Sequence, residues 1–357
     1  MVITMMTHLS ASDSRCRVAF LGPRGTFTEQ ALREFMAAGH VPPAAETVEV
    51  AAPGVALKMV REGQADFACV ALESSVDGPV AQTEDALAAG ERLQIYHEVI
   101  VPVAFTIMVR QGMAPEDART ITTHPVAEAQ VRQWIAEHLP HVTFVPASSN
   151  GAAAQMVAEG RADVAAAPER AREIHDLEAL AKNVADVPGA HTRFVLVGKP
   201  GAPTPRTGND RTGVAFVLEN QPSSLLDALT QLSGRGVDMS RISSRPLRGA
   251  LEAANSSGSF GAPGITEAMG ALGATTVTAG ESLPMAGHYV FHVGVVGHID
   301  DAAVAEALAG LHRVARHVRY LGSWPASEDV KNRHQGSAPP SFTESVTWVD
   351  RLKQGED

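Results

Sequence analysis

An α/β fold followed by a smaller second domain is predicted by three observations along the 357-residue chain. From residue 17 to 200, short apolar runs alternate with helical patterning, as in layered α/β proteins. Within that stretch the runs 18–21, 120–122 and 142–145 each enter a hydroxyl-rich turn that opens a helix. Beyond a proline-rich break at 199–208 the remaining elements follow a βαββαβ order, that of a ferredoxin-like α+β domain.

In chain order, the strand 18–21 passes through Gly22-Pro23-Arg24-Gly25-Thr26-Phe27-Thr28 into helical patterning over 31–38, with a second helix at 54–62. Residues 66–72 are a continuous apolar run of the buried-strand kind, closed by the polar turn Glu73-Ser74-Ser75-Val76-Asp77-Gly78. A helix at 82–89 precedes one long apolar strand at 99–109, interrupted early by Pro102. Pro125 stands in the first turn of an amphipathic helix over 126–138, where its missing N–H costs nothing. After the turn Ser148-Ser149-Asn150 comes a helix at 151–159, ended by Gly160. A strand at 163–167, a short helix at 168–175 and a strand at 194–197 complete the first part. The second part reads strand 213–218, helix 224–235, strands 239–246 and 289–296, helix 301–313 and strand 317–321.

The Gly-, Ala-, Ser- and Thr-rich stretch 248–286 reads as a flexible insertion, because long structureless loops are uncommon inside compact domains. The resulting division is a disordered lead at 1–16, a first domain at 17–200, a linker at 201–211, a second domain at 212–325 and a polar tail at 326–357. A short helix over 345–353 is expected in that tail.

Twenty-nine Lys and Arg against forty Asp and Glu give a net charge of −11. That balance argues against a nucleic-acid partner, whose binding rests on phosphate neutralisation, but not against a small dianion, which responds to the local field. Cys16 and Cys69 are too far apart in sequence to suggest a metal site, and free thiols suit a reducing cytosol. Residues 1–15 lack a signal-type apolar core, and no apolar run has the length of a bilayer span. A cytoplasmic protein with no metal, membrane or nucleic-acid partner is therefore expected.

Helix N-termini carry unpaired N–H groups and partial positive charge, so several facing one cleft make a small-anion site without a metal. Thr26-Phe27-Thr28-Glu29 fits a capping box, most of which are purely structural, although Gly22 and Gly25 also let backbone approach a ligand closely. The Glu73–Gly78 turn offers a carboxylate and two hydroxyls at a strand's carboxyl end, where ligands of open α/β sheets lie; a solvated turn is the plainer reading. Thr123-His124-Pro125 with Gln130 reads as a helix cap plus an inward amide. Thr192-Arg193-Phe194 opens the last strand of the first domain, where β-propensity alone accounts for a Thr. Each segment is ambiguous by itself; their order and company are not.

Together they resemble the prephenate dehydratase family, from Val18 to Pro325. Its Gly-Pro-x-Gly-Thr-Phe-(Thr/Ser) turn is matched by Gly22 to Thr28, and its Glu-Asn-Ser-x-x-Gly turn by Glu73 to Gly78. Its Ser-His-Pro motif with a following Gln is matched by Thr123, His124, Pro125 and Gln130, and its Thr-Arg-Phe by Thr192-Arg193-Phe194. The second domain resembles the ACT regulatory domain of those enzymes, with Ser223-Ser224-Leu225 for Gly-Ala-Leu and Ser243-Ser244-Arg245-Pro246 for Glu-Ser-Arg-Pro. The stretch 298–325 is similar to actinobacterial members.

The resemblance implies two lobes like those of periplasmic solute-binding proteins, lobe I at about 17–97 and 186–200 and lobe II at about 98–185, with the substrate between them. It implies a cofactor-free conversion of prephenate to phenylpyruvate, with loss of water and carbon dioxide driven by aromatisation. Thr192 would stabilise the departing hydroxyl, and Glu73 would supply a proton if burial raises its pKa. Thr26, Thr28, Ser74, Ser75, Thr123, His124, Gln130, Arg193 and Phe194 would form the substrate site. Phenylalanine would act as effector at Asn220, Ser223, Ser224, Leu225, Ser243, Ser244, Arg245 and Pro246, in a homodimer or homotetramer. Against the family pattern, Ser74 and Gly189 stand where it has Asn, Thr123 where it has Ser, and Ser243 where it has Glu. These departures make an arogenate dehydratase or catalytically altered paralogue, or a non-catalytic small-anion sensor, the alternatives.

Overall fold

The computed structural model describes residues 16–246, 289–327 and 342–355. Residues 1–15 of the lead expected at 1–16, the insertion at 248–286 and residues 328–341 of the tail lie outside the described residues.

The first sheet contains β1 (Arg17–Leu21), β2 (Glu46–Val50), β3 (Phe67–Ser74), the short β4 (Gly78–Pro79), β5 (Gln94–Pro102) and β11 (His191–Gly198). Its order is β2-β1-β3-β11-β5, with β4 beside β3. The second sheet contains β6 (Phe105–Val109), β7 (Thr120–Thr123), β8 (Thr143–Pro146), β9 (Val164–Ala167) and β10 (Glu178–Val184), in the order β10-β6-β9-β7-β8. Helices α1 (Phe27–Ala37), α2 (Pro53–Arg61) and α3 (Ala81–Ala88) belong to the first sheet's connections. Helices α4 (Pro125–Glu128), α5 (Arg132–His138), α6 (Asn150–Ala158) and α7 (Glu169–Ile174) belong to those of the second.

Two expectations fail here for long-range reasons. The run 99–109 is not one strand. Its first part completes β5 in the first sheet and its second part is β6 in another sheet, so the lobe boundary expected at 97–98 falls inside β5. Pro102 has no N–H to extend the ladder, and the Val103 N–H instead bonds the Ala190 carbonyl at 2.8 Å. The helix expected over 126–138 is two helices, broken at Val131, whose backbone (φ −130°, ψ 5°) is not helical. Asp186 makes that break: its carboxylate accepts from the N–H groups of Gln133 at 2.8 Å and Trp134 at 3.4 Å, capping α5.

The third sheet holds β12 (Asp210–Val217), β13 (Met239–Pro246), β14 (Tyr289–Val296) and β15 (His317–Pro325) in the order β13-β14-β12-β15, with α8 (Ser224–Ser233) and α9 (Ala302–Val314). One face packs on those helices through Val214, Phe216, Ala228, Val293, Val304 and Leu311. From the other face Ala215, Val217, Val290, Leu321 and Trp324 join Val70, Leu72, Leu87, Ile95 and Val195 in a core shared with the first sheet. Helix α10 (Phe342–Lys353) lies in the tail.

Glu98 of β5 ties this interface together. Its fully buried carboxylate takes Arg211 Nε at 3.3 Å, Arg193 Nη1 at 3.4 Å and Trp324 Nε1 at 2.9 Å. A buried carboxylate without such partners would be costly, so the three donors make its position specific.

Candidate active site

β1 and β3 run parallel while β11 is antiparallel to β3, so the start of β11 and the carboxyl end of β3 share one edge. There Thr192 pairs with Ser74 and Arg193 with Glu73. The Ser75 N–H donates to the His191 carbonyl at 2.9 Å, and the His191 N–H to Ser75 Oγ at 2.9 Å. Thr192 thus stands beside the 73–78 turn, and none of the described residues hydrogen-bonds its hydroxyl.

Successive strand residues point to opposite faces. Thr192 and Ser74 therefore share one face, and Arg193 and Glu73 the other. The Glu73 carboxylate lies 3.8 Å from Arg193 Nε and 3.7 Å from Arg241 Nε of the third sheet. Glu73, expected as a proton source, is thus ion-paired on the face opposite to that of Thr192. The Arg193 guanidinium joins Glu73 and buried Glu98. Phe194, 2% exposed, packs with Val101 and Leu196 in the core.

Loops from the second sheet meet this edge. Gln130 Nε2 donates to Asp77 Oδ2 at 3.2 Å. Gly25, at φ +86°, fits against α7, where an added Cβ would stand 2.8 Å from Ala171 Cβ. A Cβ on Gly151 at the start of α6 would stand 2.6 Å from the Arg24 carbonyl oxygen. Phe27 and Phe105 meet edge to face, ring centroids 5.5 Å apart. The two sheets therefore touch through the loops at the carboxyl ends of their parallel strands, which is where the motifs lie.

Several expected ligand groups serve the loops themselves. Thr26 Oγ1 donates to the Leu21 carbonyl at 3.1 Å and accepts from the Glu29 N–H at 3.2 Å, while Glu29 takes the Gly25 N–H at 2.6 Å. Thr26 thus caps α1 without a ligand, while Glu29 reaches back past it to Gly25. Thr28 is buried in the first turn of α1, its carbonyl accepting from Cys69 Sγ at 3.7 Å. Ser74 Oγ accepts from the Val76 and Asp77 N–H groups, and Thr123 Oγ1 donates to the Ala166 carbonyl at 2.7 Å. His124 caps α4, Nδ1 accepting from the Val126 N–H at 3.3 Å; burial lowers its pKa and the nearby Asp77 charge opposes that.

The third sheet brings the expected effector residues to one end: β12 finishes at Val217, which pairs with Val290, and Val290 pairs with Arg245. Asn220 is exposed in the turn before α8, and Ser223 takes a left-handed backbone at φ +69° ahead of Ser224 and Leu225. Ser243 Oγ instead donates to Glu84 at 2.6 Å, and Arg245 forms a two-pronged bond with Asp85 at 3.1 and 2.9 Å. Ser244 and Pro246 are exposed.

Asp77, Asp186 and Arg241 make contacts around these loops that no sequence motif assigns to them. Asp77 is the acidic residue on the Gln130 and His124 side, and only its place in the 73–78 motif hinted at it. Among the described residues no cluster of His, Cys, Asp or Glu is arranged to hold a metal, and no helix is long and apolar enough to cross a membrane.

Comparison with known proteins places these features. A family model described as prephenate dehydratase matches residues 18–202. A prephenate dehydratase of Mycolicibacterium vanbaalenii is 46% identical over 347 residues, covering 95% of this chain and 98% of the relative. The crystal structure of prephenate dehydratase from Arthrobacter aurescens in complex with L-Phe superposes with a TM-score of 0.72 at 36% identity, covering 95% of this chain and all of that one. A structure described as a novel type of quorum-quenching acylase superposes with a TM-score of 0.65 at 28% identity, covering 87% of this chain and 98% of that one.

Proposed function

This chain belongs to the prephenate dehydratase family, and from that premise we propose how its crevice converts prephenate to phenylpyruvate. The first and second sheets form two lobes, the substrate lies between their facing loops, and the third sheet with α8 and α9 is the ACT regulatory domain. In the reaction the ring C–OH bond and the bond to the ring carboxylate break together, releasing carbon dioxide; the departing oxygen takes up a proton and leaves as water. Because the ring becomes aromatic, the protein has mainly to orient the dianion and stabilise the leaving hydroxide.

The observation that carries this reading is the Thr192 hydroxyl, unengaged by described residues and held beside the 73–78 turn. It donates to the leaving oxygen as negative charge develops there, an interaction strongest in the transition state. The first-turn N–H groups of α1 at Phe27 and Thr28, beyond those its own cap takes, face a substrate carboxylate. Asp77, joined to Gln130, is the acidic group on the substrate side, in place of Glu73.

Two other chemistries are weighed by specific residues. Acyl transfer requires an activated nucleophile. Cys16 and Cys69 are both buried, and burial pushes the Cys69 thiol up, away from the reactive thiolate. Ser75 Oγ accepts from the His191 N–H, and among the described residues no base takes its proton. Arogenate is favoured by one feature, the Asp77 carboxylate, which suits the ammonium group that arogenate carries in place of the keto group. Steady-state turnover of both substrates, followed by phenylpyruvate and phenylalanine formation, decides between them. Absence of product from prephenate overturns the reading. L-Phe, bound by the Arthrobacter relative, is the effector we assign to the third-sheet end carrying Ser223 and Ser244.

A further inference from the structure

The third sheet reaches the back of the catalytic strands through one side chain. Arg241 of β13, with 13% of its side chain exposed, extends its guanidinium between two carboxylates of the first domain. Its Nη2 hydrogen-bonds Glu84 Oε1 on α3, and its Nε lies 3.7 Å from Glu73 Oε1 on β3. Ser243 holds the same Glu84 oxygen from two residues along the strand.

Both carboxylates bear on the motif turn. α3 starts where that turn ends: the Val80 N–H bonds the Leu72 carbonyl at 3.0 Å, and Thr83 Oγ1 donates to the Ala71 carbonyl at 2.7 Å. Glu73 is strand neighbour to Ser74, and its other partner, Arg193, is strand neighbour to Thr192. Two ion pairs and one residue step therefore separate a regulatory-domain guanidinium from the hydroxyl assigned to the leaving group. Ion pairs at 3.7 and 3.8 Å contribute little net stability once desolvation is counted, but they do fix where their groups sit.

We propose that Arg241 is a positioning residue for the dehydratase site: by holding Glu73 and Glu84 together from the third sheet, it sets the 73–78 turn against the start of β11 and so places the Thr192 hydroxyl. This rests on the catalytic reading above and extends it, making turnover depend on how β13 is seated. It also gives a movement of the regulatory sheet a direct path to the reacting group, since the Arg241 link is made or broken by β13 alone.

The experiment uses the full chain and prephenate. Arg241→Gln and Glu73→Gln each lower kcat about tenfold with KM within about twofold, as loss of transition-state alignment does. The double variant loses about tenfold, not a hundredfold, because both changes break one link. Arg241→Lys restores most of the rate. Arg319→Gln removes another contact of the same interface, the bonds from Arg319 to the carbonyls of Leu87, Ala89 and Gly90, and lowers the melting temperature while leaving kcat unchanged. A kcat within twofold of wild type for Arg241→Gln, multiplicative losses in the double variant, or an equal loss in Arg319→Gln each overturns the positioning role. A wild-type chain that does not turn over prephenate overturns the dehydratase reading and the proposal with it.

Discussion

Gln130 Nε2 stands 3.2 Å from the Asp77 carboxylate, joining the break between α4 and α5 to the turn after β3. Ser74 Oγ donates to the same carboxylate at 3.3 Å, so one acid ties its own turn together and links it to Gln130. Gln130→Glu replaces the donor with a second carboxylate at the same spot. Like charges so close cannot both ionise without cost. The expected outcome is a KM for prephenate raised about tenfold at pH 7.5, shrinking as pH falls toward the usual carboxyl range of about 4. A wild-type-like KM across that range contradicts the contact.

Removing the Thr192 hydroxyl tests the chemical step. Thr192→Ala lowers kcat by about a hundredfold or more with little change in KM, the usual size for losing one transition-state donor. Thr192→Ser, which keeps the hydroxyl, stays within about tenfold of wild type. Equal rates for the two variants sink the assignment.

Gly25 is constrained twice, by φ +86° and by Ala171, whose Cβ would lie 2.8 Å from an added Cβ. A left-handed backbone costs an L-residue about 1–2 kcal/mol, and relieving the contact costs more. Gly25→Ala is expected to destabilise by about 2 kcal/mol or more. Denaturant unfolding, with the midpoint falling at unchanged m-value, checks this.

Two buried imidazoles make the fold acid-sensitive. His97 is held to about 3 by burial and by His40, whose ring stacks on it at 3.6 Å. His292 is held to about 3 by burial and by Arg241, Arg245 and Arg319. The folded forms stay neutral where the unfolded chain takes up protons, at the ordinary pKa of about 6.5. Their contribution is therefore intact above pH 6.5 and is lost as pH falls from there toward 3, by up to about 1.4 kcal/mol per pH unit for each ring. Urea unfolding at pH 8, 6 and 5 should show the midpoint falling, with His97→Gln reducing the slope. A midpoint that does not move between pH 7 and 5 contradicts both assignments.

The motif order led to the family, and most elements were legible because each is a local pattern. The 66–72 apolar run is β3, and Ser149 caps α6 by accepting the Ala152 N–H at 3.1 Å. β2 and β10 went unseen because their residues are largely half-exposed or exposed and carry no clean apolar run. The site was legible as a set of turns but not as a set of roles: Thr26, Ser74 and Thr123 carry suitable hydroxyls, and the fold uses them to cap and pin their own loops.

The sequence alone determined the strand-turn-helix junctions, the family and the position of Thr192 at the mouth of a strand, because these depend on residues near one another in the chain. Only the tertiary structure decided that Glu73 faces Arg241, that 99–109 divides between two sheets, and that Asp186 breaks the helix after Pro125. Each of those outcomes depends on which strand pairs with which and in what register. A shift of one residue in that register reverses the face a side chain presents, and nothing local to the chain fixes it.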